Sequence, residues 1–130
     1  MPVPGVILPV VYIAGPYRAS TPRRILANIW TAQEAALLVW QSGGVAICPH
    51  ANTALFDGEA ADEVWLAGDL ELLRRSDAVL MCGAWQDSTG ARAEHELAKA
   101  LALPVFYNPH AGTLRLWVEN WKRIAGAEAS

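Results

Sequence analysis

The chain has 130 residues, 53% of them hydrophobic and 18% charged, with a formal net charge of −3. That length and apolar content fit one folded domain spanning residues 1–130 and exclude a disordered segment. The negative balance argues against a nucleic-acid polymer as partner, but leaves room for a small phosphorylated ligand held by one or two local cations.

The opening "MPVPGVILPVVYIAGP" lacks early positive charge and is broken by Pro and Gly, so it reads as a lead-in and a strand, not a signal peptide. Its β-branched stretch, "VILPVVYIAGP", predicts a buried strand of the parallel type. In "STPRRILANIWTAQEAALLVWQSGG" Thr21 is a natural N-cap, Pro22 suits the first helical position, and Gly43-Gly44 supply the stop. "VAICPH" predicts a second strand closed by His50, and "ANTALFDGEA" a loop. "ADEVWLAGDLELLRRS" reads as a helix despite Gly68, "DAVLMCG" as the third strand, and "AWQDSTG" as a loop. "ARAEHELAKALA" is the next helix and "LPVFYN" the fourth strand. "GTLRLWVENWKRIAG" closes as a helix with Leu114, Trp117, Trp121 and Ile124 along one side, for core packing first and an oligomer contact second.

Strand and helix alternate throughout. The expected fold is therefore α/β: a Rossmann-like or flavodoxin-like open parallel sheet of four to five strands with helices on both faces. Cys48 and Cys82 lie far apart in apolar runs, with no Cys/His cluster. No metal site and no disulfide framework is expected, and reduced thiols suit a cytoplasmic protein. No run reaches the ~20 apolar residues of a membrane span, so no membrane partner is expected.

In open parallel sheets, ligands sit outside the carboxyl ends of the strands, which here means "GPYRAS", "PHANTALFDG", "GAWQDSTGARAE" and "NPHAGT"; the first three, rich in polar and small residues, are the site candidates. Helical spacing then sorts the acids. Glu94 shares a face with Leu97, Ala98 and Leu101 and points inward, whereas Glu96 aligns with Arg92 and Lys99. Asp69 aligns with Trp65, Leu66, Leu72 and Leu73 and also points inward, whereas Glu71 aligns with Arg74 and Arg75. A buried carboxylate is unfavourable unless paired, protonated or used. Two of them beside one strand are the equipment for cleaving a glycosidic bond. Glu94, early in its helix, is expected to be the ionised nucleophile, and Asp69, among apolar neighbours, the proton donor. The bland alternative is a pair of satisfied core acids.

Three segments resemble the nucleoside 2-deoxyribosyltransferase-like superfamily: "VYIAGPYR", "LAGDLELLRRSDAVLM" and "STGARAEHELAKA", the last matching a Ser/Asp-x-Gly-x-x-x-Glu motif. The resemblance implies that Glu94 is the nucleophile at the sugar C1′, that Asp69 protonates the departing base, and that Tyr12 lies beside Glu94. It also implies a choice at the motif's first position. Transferases acting on free nucleosides tend to carry aspartate there, and the 5′-monophosphate N-glycosidases carry serine, here Ser88. Arg18 and His50 have counterparts in the hydrolase branch. The Gly-Pro-Tyr after the first strand is closer to the transferases, and Asp87 sets a carboxylate beside Ser88.

The reading is thus an N-glycosidase of a (deoxy)nucleoside 5′-monophosphate working through a covalent glycosyl–Glu94 intermediate. Arg18, Ser88 and the backbone at Gly15 would hold the phosphate, and Gly90 would also bind the substrate. His50 would line the site, and Trp85 would stack on the base. No cofactor is called for. The partners are a small nucleotide or nucleoside and, by the resemblance, further copies of the chain as a homodimer or higher homo-oligomer. Alternatives are a deoxyribosyltransferase, a catalytically silent nucleotide-binding module, and a nicotinamide-releasing enzyme. Ser88 is equally the N-cap of its helix. Arg18 is equally a solvated loop residue and His50 an ordinary strand-end histidine. Trp85 could instead close over the core, and His95 and His110 are expected at the surface.

Overall fold

The first β-branched run forms strand β1 (Val10–Ala14) in the computed structural model, which describes residue 5 and residues 7–129. Val6, at the head of the predicted run, and residues 1–4 of the lead-in lie outside the described residues. Helix α1 (Pro22–Gln41) starts as the sequence indicates: Thr21 is extended and its Oγ1 accepts from the Arg24 amide at 3.2 Å. It stops where Gly43 takes φ +94°, which costs glycine nothing, and the Gly44 amide folds back onto the Val39 carbonyl.

Strands β2 (Val45–Ile47), β3 (Ala78–Met81) and β4 (Val105–Tyr107) complete a four-stranded, all-parallel sheet in the order β2-β1-β3-β4. In register, Tyr12 stands between Ile47 and Val79. Two departures from the expected loops follow β2 and β3. Pro49–Asn52 forms a one-turn helix, α2, because Pro49 presets the first helical φ, so His50 lies in this turn and does not close the strand. Trp85–Asp87 forms a 3₁₀ turn ahead of helix α4 (Thr89–Ala100). Helices α3 (Asp62–Arg74) and α5 (Ala111–Ala129) fall where predicted.

The alternation of β1 divides the core. Val11, Ile13 and Leu80 pack with Ala32, Ala36 and Val39 of α1 and Leu114 of α5 on one face. Tyr12, Ala14, Val79 and Met81 pack with Leu73 of α3 and with Ala91 and Ala98 of α4 on the other. Each fully buried aliphatic side chain contributes roughly 1.5–3 kcal/mol. On α5, Val118 joins Leu114 in the core and Trp117 meets Phe106 edge-on at 5.4 Å, while Ile124 stays exposed, so the expected stripe turns out of the core before the helix ends.

The chain leaves β1 for β2 on one side and crosses to β3 on the other, so the crevice between β1 and β3 is the topological switch point where such sheets bind ligands. There the Cys82 amide donates to the Ala14 carbonyl at 2.8 Å. A Cβ on Gly15 would meet Cys82 Sγ at 2.7 Å and the Cys82 carbonyl at 2.9 Å, so only glycine fits. Asp77, at the entry to β3, accepts from the Val10 amide at 2.8 Å and ties the opposite ends of these two strands. No described helix is long and apolar enough to cross a membrane.

Candidate active site

A cavity of about 900 Å³ opens at this switch point, walled by Gly15–Arg18 after β1, Cys82–Ala84 after β3, and facing residues of α3 and α4. Asp69 enters it from α3 and Glu94 from α4, one on each side, and their charges interact. Tyr12 reaches Glu94 from the sheet below, its hydroxyl donating to Glu94 Oε2. Glu71 and Glu96 remain on the outer faces, beside Arg75 and Lys99.

Burial sets the electrostatics. Desolvation pushes the Glu94 carboxyl up to about 8, with the Tyr12 hydrogen bond pulling down and the Asp69 charge adding to the rise. Burial alone lifts Asp69 to about 6. The Tyr12 phenol rises far above its usual range through burial and then through Glu94. Here the structure corrects the sequence reading, which expected the helix start to keep Glu94 ionised. Glu94 is the sixth residue of α4, beyond the first turn where the helix dipole acts, and it is more buried than Asp69. Tyr12→Phe should therefore raise the Glu94 pKa by about one further unit, the worth of a hydrogen bond to a charged acceptor. Carboxyl carbon NMR titration of the variant would read this directly, and an unmoved Glu94 resonance would show that the hydrogen bond does not form.

The remaining expected residues divide. Ser88 caps α4, its Oγ accepting from the Ala91 amide at 3.2 Å, and lines the cavity together with Gly90. Arg18 also lines it, but its guanidinium lies 2.6 Å from Asp62, with both side chains about two-thirds exposed. His50 is buried, its Nε2 3.0 Å from the Gly15 carbonyl and 2.9 Å from that of Pro16. That pairing requires the N–H on Nε2, and burial lowers the pKa of the ring, so a neutral imidazole pins the loop after β1.

Trp85 is the clear miss. It lies outside the cavity wall and packs against His95 at 4.5 Å and Tyr107 at 5.9 Å, closing over the core instead of facing a ligand. His95 is correspondingly half-buried, its Nε2 2.7 Å from the Tyr107 hydroxyl, and not at the surface as expected.

The sequence reading also missed the outer wall. Tyr17 donates to Asp57 Oδ1 at 2.7 Å and accepts from the Leu55 amide at 2.9 Å, which draws the loop after α2 over the opening. Phe56 of that loop meets Trp65 of α3 at 5.9 Å, and both rings face the cavity. Nothing in the local spacing marks these contacts, although Trp65 shares a helical face with Asp69. Among the described residues, no group of three or more His, Cys, Asp or Glu side chains is placed to hold a metal ion.

The sequence profile described as "Domain of unknown function (DUF4406)" matches residues 9–107. The chain belongs to this family. The DUF4406 match contains the whole sheet and both inward acids, and α5 falls beyond it. A search of curated proteins finds no match to this DUF4406 chain. Among solved structures, a 2-deoxyribosyltransferase from the psychrotolerant bacterium Bacillus psychrosaccharolyticus is similar with a TM-score of 0.57. Sequence identity is 20%, over 75% of this chain and 70% of that one. The DUF4406 chain thus has the fold of the nucleoside 2-deoxyribosyltransferase-like superfamily.

Proposed function

We propose that the chain cleaves the N-glycosidic bond of a (deoxy)nucleoside 5′-monophosphate. The carrying observation is the placement of Tyr12, Glu94 and Asp69 around one cavity at the sheet's switch point. A Glu94 carboxylate oxygen attacks the sugar C1′. The C1′–N bond breaks, its electron pair passes to the base nitrogen, and the Asp69 proton neutralises the leaving base. Water then adds to C1′, Glu94 departs as carboxylate, and Asp69 takes the proton back. Tyr12 holds Glu94 in line, and Ser88 and Arg18, which line the cavity with Gly90, would receive the 5′-phosphate, Arg18 turning from Asp62 to meet it.

One observation favours a second reading, deoxyribosyl transfer from an unphosphorylated nucleoside. Besides the Glu94–Asp69 pair, which holds one proton, four acidic side chains, Asp57, Asp62, Glu63 and Asp87, line the cavity against a single arginine that is already paired. A concave wall of that sign repels a dianion. Incubating the chain with matched nucleosides and 5′-monophosphates, with and without a second base, separates the readings by chromatography of free base and new nucleoside. Base released from monophosphates without an acceptor supports the first. Release from nucleosides alone overturns it, and no release from any substrate leaves a binding module.

A further inference from the structure

Helix α1 carries two apolar stripes. Ile29, Ala32, Ala36 and Val39 face the sheet and are buried. Leu26, Trp30, Leu37 and Trp40 form the second stripe and are 53%, 64%, 48% and 54% exposed. With Gln33 between them, also exposed, the steps along this stripe are four, three, four and three residues, the spacing of a helix-pairing seam. Large side chains left in water at that spacing are unusual for a monomer. The tryptophans of α5, for which core packing was the first expectation and an oligomer contact the second, lie elsewhere: Trp117 packs on Phe106 and Trp121 is half-buried.

The stripe is close to palindromic about Gln33. Laid antiparallel against itself, it sets Leu26 against Trp40 and Trp30 against Leu37, a small side chain facing a large one at each level. Gln33 meets its own copy on the two-fold axis, where two side-chain amides can exchange hydrogen bonds and fix the register. Such an isologous contact closes as a dimer.

Charge agrees with this direction. The first turn of α1 holds Arg23 and Arg24 and no acid, the reverse of what the helix's own dipole favours, and the last turn holds no base of its own, with only Arg115 of α5 donating to the Gln41 carbonyl at 3.3 Å. Antiparallel pairing brings Arg23 of one copy beside the carbonyl end of the other copy's α1. Area agrees as well. The two exposed indoles offer on the order of 300 Å² per chain. With the leucines added, two chains together approach the ~1,000 Å² at which specific interfaces begin.

We propose that the chain forms a two-fold dimer through antiparallel pairing of α1 with α1 of a second copy. Sedimentation equilibrium at tens of micromolar should then give twice the 14.0 kDa of one chain. The double substitution Trp30→Glu with Leu37→Glu should return it to a monomer, its circular dichroism unchanged because neither side chain belongs to the core. Oxidising a mixture of Leu26→Cys and Trp40→Cys chains should yield the mixed disulfide dimer in excess of either self-linked product and of the wild-type background from Cys48 and Cys82. A monomer for the unmodified chain, a dimer that survives the glutamate substitutions, or self-linked Trp40→Cys as the main product would each overturn the proposal.

Discussion

Replacing Glu94 with glutamine is expected to stop base release and, at alkaline pH, to make the fold harder to unfold. The proposed nucleophile loses its charge, and removal of a nucleophile costs at least ~10³-fold in rate. Stability moves the other way because burial holds the Glu94 carboxyl near 8, against an ordinary value of 4.5. The native state therefore binds this proton more tightly than the unfolded chain does. The stabilisation is complete below pH 4.5 and is lost as pH rises through 8. Glutamine cannot ionise and keeps an oxygen for the Tyr12 hydroxyl, so it escapes that loss, which reaches a few kcal/mol with a ceiling of about 5. Urea unfolding of both proteins at pH 5 and pH 9 should show the gap opening on the alkaline side. An equal difference at both pH values would mean that Glu94 is not held protonated by burial.

The rate of the first turnover should follow a bell-shaped pH profile. With Asp69 near 6 and Glu94 near 8, the two acids share one proton across the neutral range. Catalysis needs one proton on the pair, delivered by Asp69, with Glu94 ionised. Below about 6 both acids are protonated and attack fails; above about 8 both are charged and the base leaves unassisted. kcat/KM should accordingly peak near neutrality. In the free protein burial leaves the proton on Glu94, so the working arrangement is the minor form of the singly protonated pair. Asp69→Asn should lower the rate ~10²–10⁴-fold and change the shape of the profile. With no acid left to lose its proton the alkaline fall disappears, and the acid limb moves up from about 6 to the pKa of Glu94 alone, which lies below 8 once the Asp69 charge is gone. A bell that persists in this variant would remove Asp69 from the reaction.

Local signals carried most of the architecture. Thr21-Pro22 and Gly43-Gly44 bound α1 in the sequence as they do in the structure, and helical spacing alone separated Glu94 from Glu96 and Asp69 from Glu71. What spacing cannot reveal is contact between distant segments. The pairing of Arg18 with Asp62 spans 44 positions, and that of Tyr17 with Asp57 spans 40; neither leaves a local trace. Trp85 illustrates the same limit. A tryptophan in a loop beside the site fits a ligand or the core equally well by pattern, and the decision came from His95 and Tyr107, on a helix and a strand that follow. Glu94 went astray on magnitude: a dipole effect worth a fraction of a kcal/mol was set against desolvation several times larger.

Strand β1 is where structure and chemistry become inseparable. Tyr12 sits between Val11 and Ile13, whose side chains project to the opposite side of the sheet. Deleting one amino acid ahead of Tyr12 while keeping the strand paired would rotate the phenol toward α1 and thrust aliphatic groups at Glu94. A frame error of a single position would thus spoil the oily interior and the reactive crevice in one stroke, and no compensating change on either helix could mend both.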